Sequence, residues 1–298
     1  MAVHGAQLRP KRARLAITRL ASAARPFAAG VALLIGLAAV TGGFAPLSTA
    51  AARYAWNAYR AGPVALALDR SDANLAYVIG TYYFGNQGMP GAAHPYDLAL
   101  AERALKKAIS IAPSLPLAHY TLARIEFVNG DFDPALRNLD AELALYPGNK
   151  RPLYIRGLVY AYRGADGDLA RSEGDFRAFV AWAPLEWAGY NDLAYVLAKE
   201  KKYADAASVL ADGIKNADGG DANPWLWNSL GVAQLNLGKP QAALASFKKA
   251  QASAALLTDA DWQRAYPGND PASAAGGFDA FKSGILENLA TAYQALGK

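Results

Sequence analysis

The sequence predicts an all-α fold: a stack of about five antiparallel helix pairs, closed by one C-terminal helix and preceded by one apolar N-terminal helix. Three observations carry that expectation. Alanine is abundant, glycine and proline are scattered, and strand-like alternation of β-branched residues is scarce, a balance that favours helices. Small residues recur at one place in successive segments, namely Gly80, Ala123, Gly157, Ala194, Gly231 and Ala290, at intervals of 43, 34, 37, 37 and 59. Pro113, Pro147 and Pro184 fall where a second helix must stop before the next pair begins, since proline cannot continue a helix and pushes the residue before it into extended backbone.

Charge divides the chain before any helix is drawn. Of the 30 basic residues eight lie in the first 60 positions (Arg9, Lys11, Arg12, Arg14, Arg19, Arg25, Arg53 and Arg60), with no acid among them. The rest of the chain holds 22 basic and 25 acidic residues, a net charge near −3. A nucleic-acid-binding body needs a basic face within the folded domain, and this body has an acidic balance. No nucleic-acid partner is therefore expected. With no cysteine in the chain, a disulfide framework, a thiolate zinc site and a cysteine nucleophile are all excluded.

Residues 27–47 run 21 positions without a charge. As a helix they would span roughly 31 Å, about the thickness of a hydrocarbon core. A buried soluble helix would show a polar face, and this segment has none. Six basic residues precede it, so the positive-inside bias keeps residues 1–26 in the cytoplasm as a basic tail and sends the remainder across. The expected location is the inner (cytoplasmic) membrane, single-pass, with the body extracytoplasmic. Ser48, Thr49, Ala50, Ala51 and Ala52 supply the small residues that a signal peptidase needs. The long basic stretch and the long apolar core favour an uncleaved anchor, leaving a periplasmic or secreted module as the alternative. Residues 48–70 then form a juxtamembrane linker or helix, where Tyr54, Trp56 and Tyr59 could rest at the interface.

From residue 71 to residue 298 the helix pairs can be read one by one. Gly80 and Tyr83 with Ala101, Leu105 and Ala108 make the first. Leu122 and Ala123 lead through the turn NGDF to Ala135 and Leu139. Gly157 and Tyr160 lead through GADGD to Phe176 and Phe179. Leu193 and Ala194 lead to Tyr203, Ala206 and Leu210. The fifth unit reads PWLWNSLGVAQLNLGKPQAALASFKKA, with Trp227, Leu230 and Gly231 followed by Ala243, Phe247 and Ala250. Leu289, Ala290 and Tyr293 open a last unit that ends as a single helix.

The fifth unit resembles the tetratricopeptide-repeat (TPR) family, whose W-x₂-L-G … A-x₃-F pattern it matches at six positions over 24 residues. Gln234 stands where the pattern has tyrosine. The interval of 34 between Ala123 and Gly157 is the family's own period. The resemblance implies an α-solenoid in which a small residue at each helix crossing faces a large apolar one, each pair being stable only when stacked on its neighbours.

Little chemistry is legible. His4, His94 and His119 are isolated in sequence, and His119 stands at the packing position of the family's tryptophan. No glycine-rich phosphate loop, HExxH motif or nucleophile elbow occurs. Asp166 and Asp168 resemble a fragment of a calcium loop that lacks its remaining ligands, so they are read as a turn and a helix cap. No catalytic residue, cofactor or metal is expected, and the protein is read as a non-enzyme.

What remains is a surface. The resemblance implies that the first helices line a concave groove, which puts Tyr77, Thr81, Phe84, Tyr120, Arg124, Phe127, Tyr154, Leu158, Tyr162, Asn191, Tyr195, Asn228 and Val232 on or near it. Asn191 and Asn228 recur at equivalent places, where an amide can hold a peptide backbone. The paired lysines and arginine of the family's carboxylate-clamp members are lacking, so an acidic C-terminal peptide is not the expected ligand. Two insertions depart from the repeat. One lies around 85–96 with His94 and Tyr96, the other around 256–278 with Trp262 and Tyr266, and long loops of repeat proteins often emerge on the binding face. Trp262 and Tyr266 are expected either to cover the groove or to touch the partner, the alternative being a linker whose aromatics pack on the last full repeat. The expected function is a protein-binding scaffold for a peptide or protein of the cell envelope, such as secretion, pilus, cell-wall or cytochrome-maturation machinery. The alternatives are an exported module that assembles with its own copies, a homo-oligomer, and an accessory subunit of an envelope enzyme.

Overall fold

The computed structural model describes residues 54, 58–59, 61–69, 71–85, 96–258, 261–262 and 277–297. The apolar segment 27–47, His94 and Tyr266 lie outside these. Among the described residues there are twelve α-helices: α1 (Gly62–Leu68), α2 (Ala73–Tyr83), α3 (Leu98–Ile111), α4 (Ala118–Asn129), α5 (Phe132–Leu145), α6 (Arg151–Arg163), α7 (Asp168–Trp182), α8 (Trp187–Lys199), α9 (Tyr203–Asn216), α10 (Pro224–Asn236), α11 (Pro240–Ala254) and α12 (Gly277–Ala295). None of these helices is long and apolar enough to cross a membrane.

The helix ends follow local chemistry. Asp72, Asp97 and Asn223 cap α2, α3 and α10 by accepting from Leu75, Leu100 and Leu226 N–H. Helices α3, α5 and α7 each stop two residues before Pro113, Pro147 or Pro184. Between α4 and α5 the chain turns at Gly130, whose φ of +82° suits glycine. The start of α4 is built differently. Leu117 takes a left-handed φ of 65°, and its N–H and that of Tyr120 donate to the two carboxylate oxygens of Glu142, a fully buried residue of α5. A side chain from the second helix thus supplies the cap that the α4 sequence lacks.

Helices α2/α3, α4/α5, α6/α7, α8/α9 and α10/α11 form five antiparallel pairs, and each second helix also packs on the next first helix. Their crossings obey one rule. Leu105, Leu139, Phe176, Leu210 and Phe247 are all fully buried; Leu105, Phe176 and Phe247 stand opposite Gly80, Gly157 and Gly231, and Leu139 and Leu210 follow Ala123 and Ala194 at the same spacing as Phe247 follows Gly231. A Cβ added to Gly80 would come within 2.7 Å of Leu105, one on Gly157 within 3.0 Å of Phe176, and one on Gly231 within 2.4 Å of Phe247. Only a small residue admits the facing ring or branched chain. One apolar core runs from Ala123 to Ala233 through three pairs, with further clusters at both ends of the stack. Consecutive first helices approach one another more closely than consecutive second helices do. The array therefore curves with the first helices on its inner side.

Candidate functional site: the inner face of the first helices

The inner face is organised by register. Three residues before each crossing position stand Tyr77, Tyr120, Tyr154, Asn191 and Asn228, one per first helix. The row is aromatic over the first three units and amide over the last two.

In the aromatic half, Tyr77 packs on a cluster that contains Phe84, which is itself buried, and Tyr120 packs on the main core. Arg124 joins them, its guanidinium 4.9 Å from the Phe84 ring centre and 5.9 Å from that of Tyr120. Burial holds the Arg124 guanidinium below its ordinary pKa, against the opposing influence of Tyr120 and Tyr77. Phe127 meets the Tyr162 ring edge-on at 5.5 Å, and Tyr162 leaves 63% of its surface to solvent. Tyr195, on α8, is exposed beside the Lys199 ammonium, which lies 5.0 Å from its ring.

The polar half is a ladder. Tyr154 donates its hydroxyl to Asp192 at 2.6 Å, Ser229 donates to Asn191 at 2.7 Å, and Asn288 donates to Asn228 at 3.0 Å. Each rung joins the row residue of one unit to the residue one place further along the next first helix. Asn191 also contacts the second oxygen of Asp192 at 3.1 Å. Burial pushes the Asp192 carboxyl above the usual range, while the hydrogen bonds from Tyr154 and Asn191 pull the other way. Sequence reasoning placed Tyr154, Asn191 and Asn228 in this row but missed Asp192, Ser229 and Asn288. Their signal was a polar residue immediately beside the row position in three consecutive units.

Trp262 is brought elsewhere. It is 4% exposed and stacks on Trp225 at 5.6 Å and on Phe278 at 5.3 Å, with Trp225 stacking in turn on Trp187 at 4.9 Å and on Phe281 at 5.1 Å. These rings come from the first turns of α8, α10 and α12 and from the second insertion. Tyr96 lies beside the Asp97 cap of α3 and is partly exposed.

Asp168 accepts two bonds from Arg163 at 2.9 Å, one from Arg171 at 3.0 Å and one from Ala165 N–H at 3.0 Å. The Arg163 guanidinium, above all, holds its carboxyl below the usual range. Asp168 thus acts as an ion-pair anchor of the GADGD turn. His119 faces Asn138 Oδ1 at 2.7 Å and the Pro113 carbonyl at 3.1 Å, joining α4, α5 and the preceding turn. Among the described residues no group of three or more potential metal ligands comes together. The arrangement offers aromatic faces, amides and hydroxyls spaced along a curved face, suited to holding a chain by contact.

Five antiparallel pairs stacked in this way define an α-solenoid. No family model matches the chain, and no curated protein does. Solved structures do. PilW, described as a widely conserved type IV pilus biogenesis factor, is 19% identical and superposes with a TM-score of 0.52 over 74% of this chain and 97% of its own. TTC0263, a thermophilic TPR protein of Thermus thermophilus, is 20% identical over 68% of this chain and 98% of its own, at a TM-score of 0.48. MamA is 18% identical over 60% of this chain and 92% of its own, also at 0.48. The fold of this chain is the tetratricopeptide-repeat fold.

Proposed function

We propose that this protein is a non-catalytic scaffold of the cell envelope, which holds a segment of a partner protein along the inner face of its first helices and is tethered by residues 27–47. The observation that carries the reading is the row itself. Tyr77, Tyr120, Tyr154, Asn191 and Asn228 repeat at one register, with the exposed rings of Tyr162 and Tyr195 beside them. Aromatic rings give large contact area at low entropic cost, and the amides of Asn191 and Asn228 hold neighbouring first helices in register beneath them. The tether rests on the 21 uncharged residues and on the basic tail that precedes them.

A photo-crosslinking side chain at Tyr162 or Tyr195 should give discrete adducts in intact cells, whereas the same group at Arg137, exposed on the second helix α5, should not. Adducts of equal yield at all three positions would refute the groove. For the tether, a reporter active only outside the cytoplasm and fused after Lys298 should be active. A silent reporter there, with a cytoplasmic one bright, would reverse the orientation. Mature protein beginning at Met1 supports the anchor, and a start at Ala51 or Ala52 supports release.

A further inference from the structure

His119, Asn138 and Glu126 are linked by hydrogen bonds across the α4/α5 pair. Asn138, half-buried on α5, donates Nδ2 to Glu126 Oε2 at 2.7 Å, so its Oδ1 is the atom turned to His119 Nδ1, also at 2.7 Å. The other ring nitrogen, Nε2, faces the Pro113 carbonyl at 3.1 Å. Both oxygens can only accept, and a neutral imidazole has a single N–H. The set is therefore complete with an imidazolium at one end and a carboxylate at the other. Turning the amide over gives a second complete arrangement. Nδ2 then donates to a neutral His119, whose Nε2–H still reaches Pro113, and Oδ1 accepts from a protonated Glu126. In both arrangements the set holds one proton more than a neutral histidine and a carboxylate carry together. Without that proton an acceptor faces an acceptor, which leaves a hydrogen bond unmade inside the helix pair.

The surroundings favour keeping the proton. Glu126 is 4% exposed, and burial pushes its carboxyl above the usual range, opposed by the hydrogen bond from Asn138 and by Lys106 and assisted by Glu102 and Asp131. Lys106 and Glu102, both on α3, pair with each other at 2.6 Å. On the His119 side α5 presents Glu142, whose two oxygens accept from Leu117 and Tyr120 N–H. The contacts of His119 all bear on the start of α4, whose own sequence supplies no cap and which carries Tyr120 of the inner face. We infer that His119, Asn138 and Glu126 form a one-proton latch, which fastens the start of α4 to α5 and to the preceding turn while the proton is bound and loosens it when the proton is lost. The latch rests on these contacts alone. Its consequence, a weaker hold on a partner at the aromatic half of the groove as pH rises, rests on the function proposed above.

An unfolded histidine gives up its proton near about pH 6.5, and the latch keeps it longer, so the stability it contributes is full at about pH 6 and lost as pH rises further. Two substitutions complete the set without that proton. Glu126→Gln donates to the turned Asn138 amide, and His119→Gln donates to Asn138 Oδ1. In urea unfolding of the full chain in mild detergent between pH 6 and pH 8.5, the parent's folding equilibrium constant should fall relative to either variant's, by up to about tenfold per pH unit. His4 and His94 are common to all three proteins and drop out of the comparison. A parent whose stability keeps the pH dependence of the variants would overturn the latch. For the groove, a photo-crosslinking side chain at Tyr162 in broken cells should lose adduct yield from pH 6 to pH 8 in the parent background and hold it in His119→Gln. The same pH dependence in both backgrounds would overturn the link between latch and groove, whereas no adduct in either background at either pH would strike the groove itself.

Discussion

Gly231 sits where the array has no spare volume. Phe247 is fully buried beneath it and cannot withdraw without moving α11. Gly231→Leu is therefore expected to cost about 1–3 kcal/mol or more, seen as a lower urea midpoint. A midpoint equal to the parent's would remove the register on which the fifth unit is built. Asp192 makes a subtler case. Its folded pKa is raised, chiefly by burial, so its contribution to stability is present below the unfolded value and lost as pH rises through the folded one. Asp192→Asn still offers an oxygen to the Tyr154 hydroxyl without the buried charge. Across the range above about pH 4 the variant should gain stability relative to the parent. A gap that stays flat across that range would mean that the carboxylate bears no desolvation cost.

Between elements, ion pairs fasten neighbouring helices where packing alone leaves them room to slide. Arg156 on α6 grips Asp175 on α7 through two bonds of 2.7 Å and reaches Asp140 on α5 with a third. Glu173 on α7 accepts from Lys202, at the start of α9, and from Arg177, each at 2.7 Å. Lys202 leads in holding the Glu173 carboxyl down to about 2, against an ordinary 4.5. A depressed carboxyl stabilises the fold above its unfolded pKa, and that stability is lost as pH falls through the folded value. In acid melts, the advantage of the parent over Glu173→Gln should be full above about pH 5 and shrink between there and about pH 2. A gap independent of pH would assign the role of Glu173 to packing.

Across the whole molecule each pair contacts only its neighbours, so damage should stay local. The stack of Trp187, Trp225, Trp262, Phe278 and Phe281 ties the second insertion to the last two full pairs and to α12. Trp262→Ala removes a buried ring from its middle and should cost about 3–5 kcal/mol. Hydrogen exchange should quicken in α10 to α12 while α2 to α5 keep their protection. Uniform loss along the array would mean that the solenoid unfolds as one unit. Partner capture by the variant separates two roles of this residue: capture lost with melting unchanged assigns it to recognition, and capture retained with melting lowered assigns it to packing.

The helix pairs were legible because their signals are local. A glycine or alanine at one register, a large apolar residue on the following helix and a proline beyond it each act within about one repeat. Those signals anticipated α2 to α12, the five crossings and the row from Tyr77 to Asn228. The rungs from Tyr154 to Asp192, Ser229 to Asn191 and Asn288 to Asn228 needed the tertiary structure, because they join helices 38 to 60 residues apart. So did the cap that Glu142 places on α4 from 25 residues away, and the burial of Trp262. Periodicity reports which face of a helix turns inward. Which polar groups then meet across that face is set by the stacking angle and rise between units, and no single repeat contains that information.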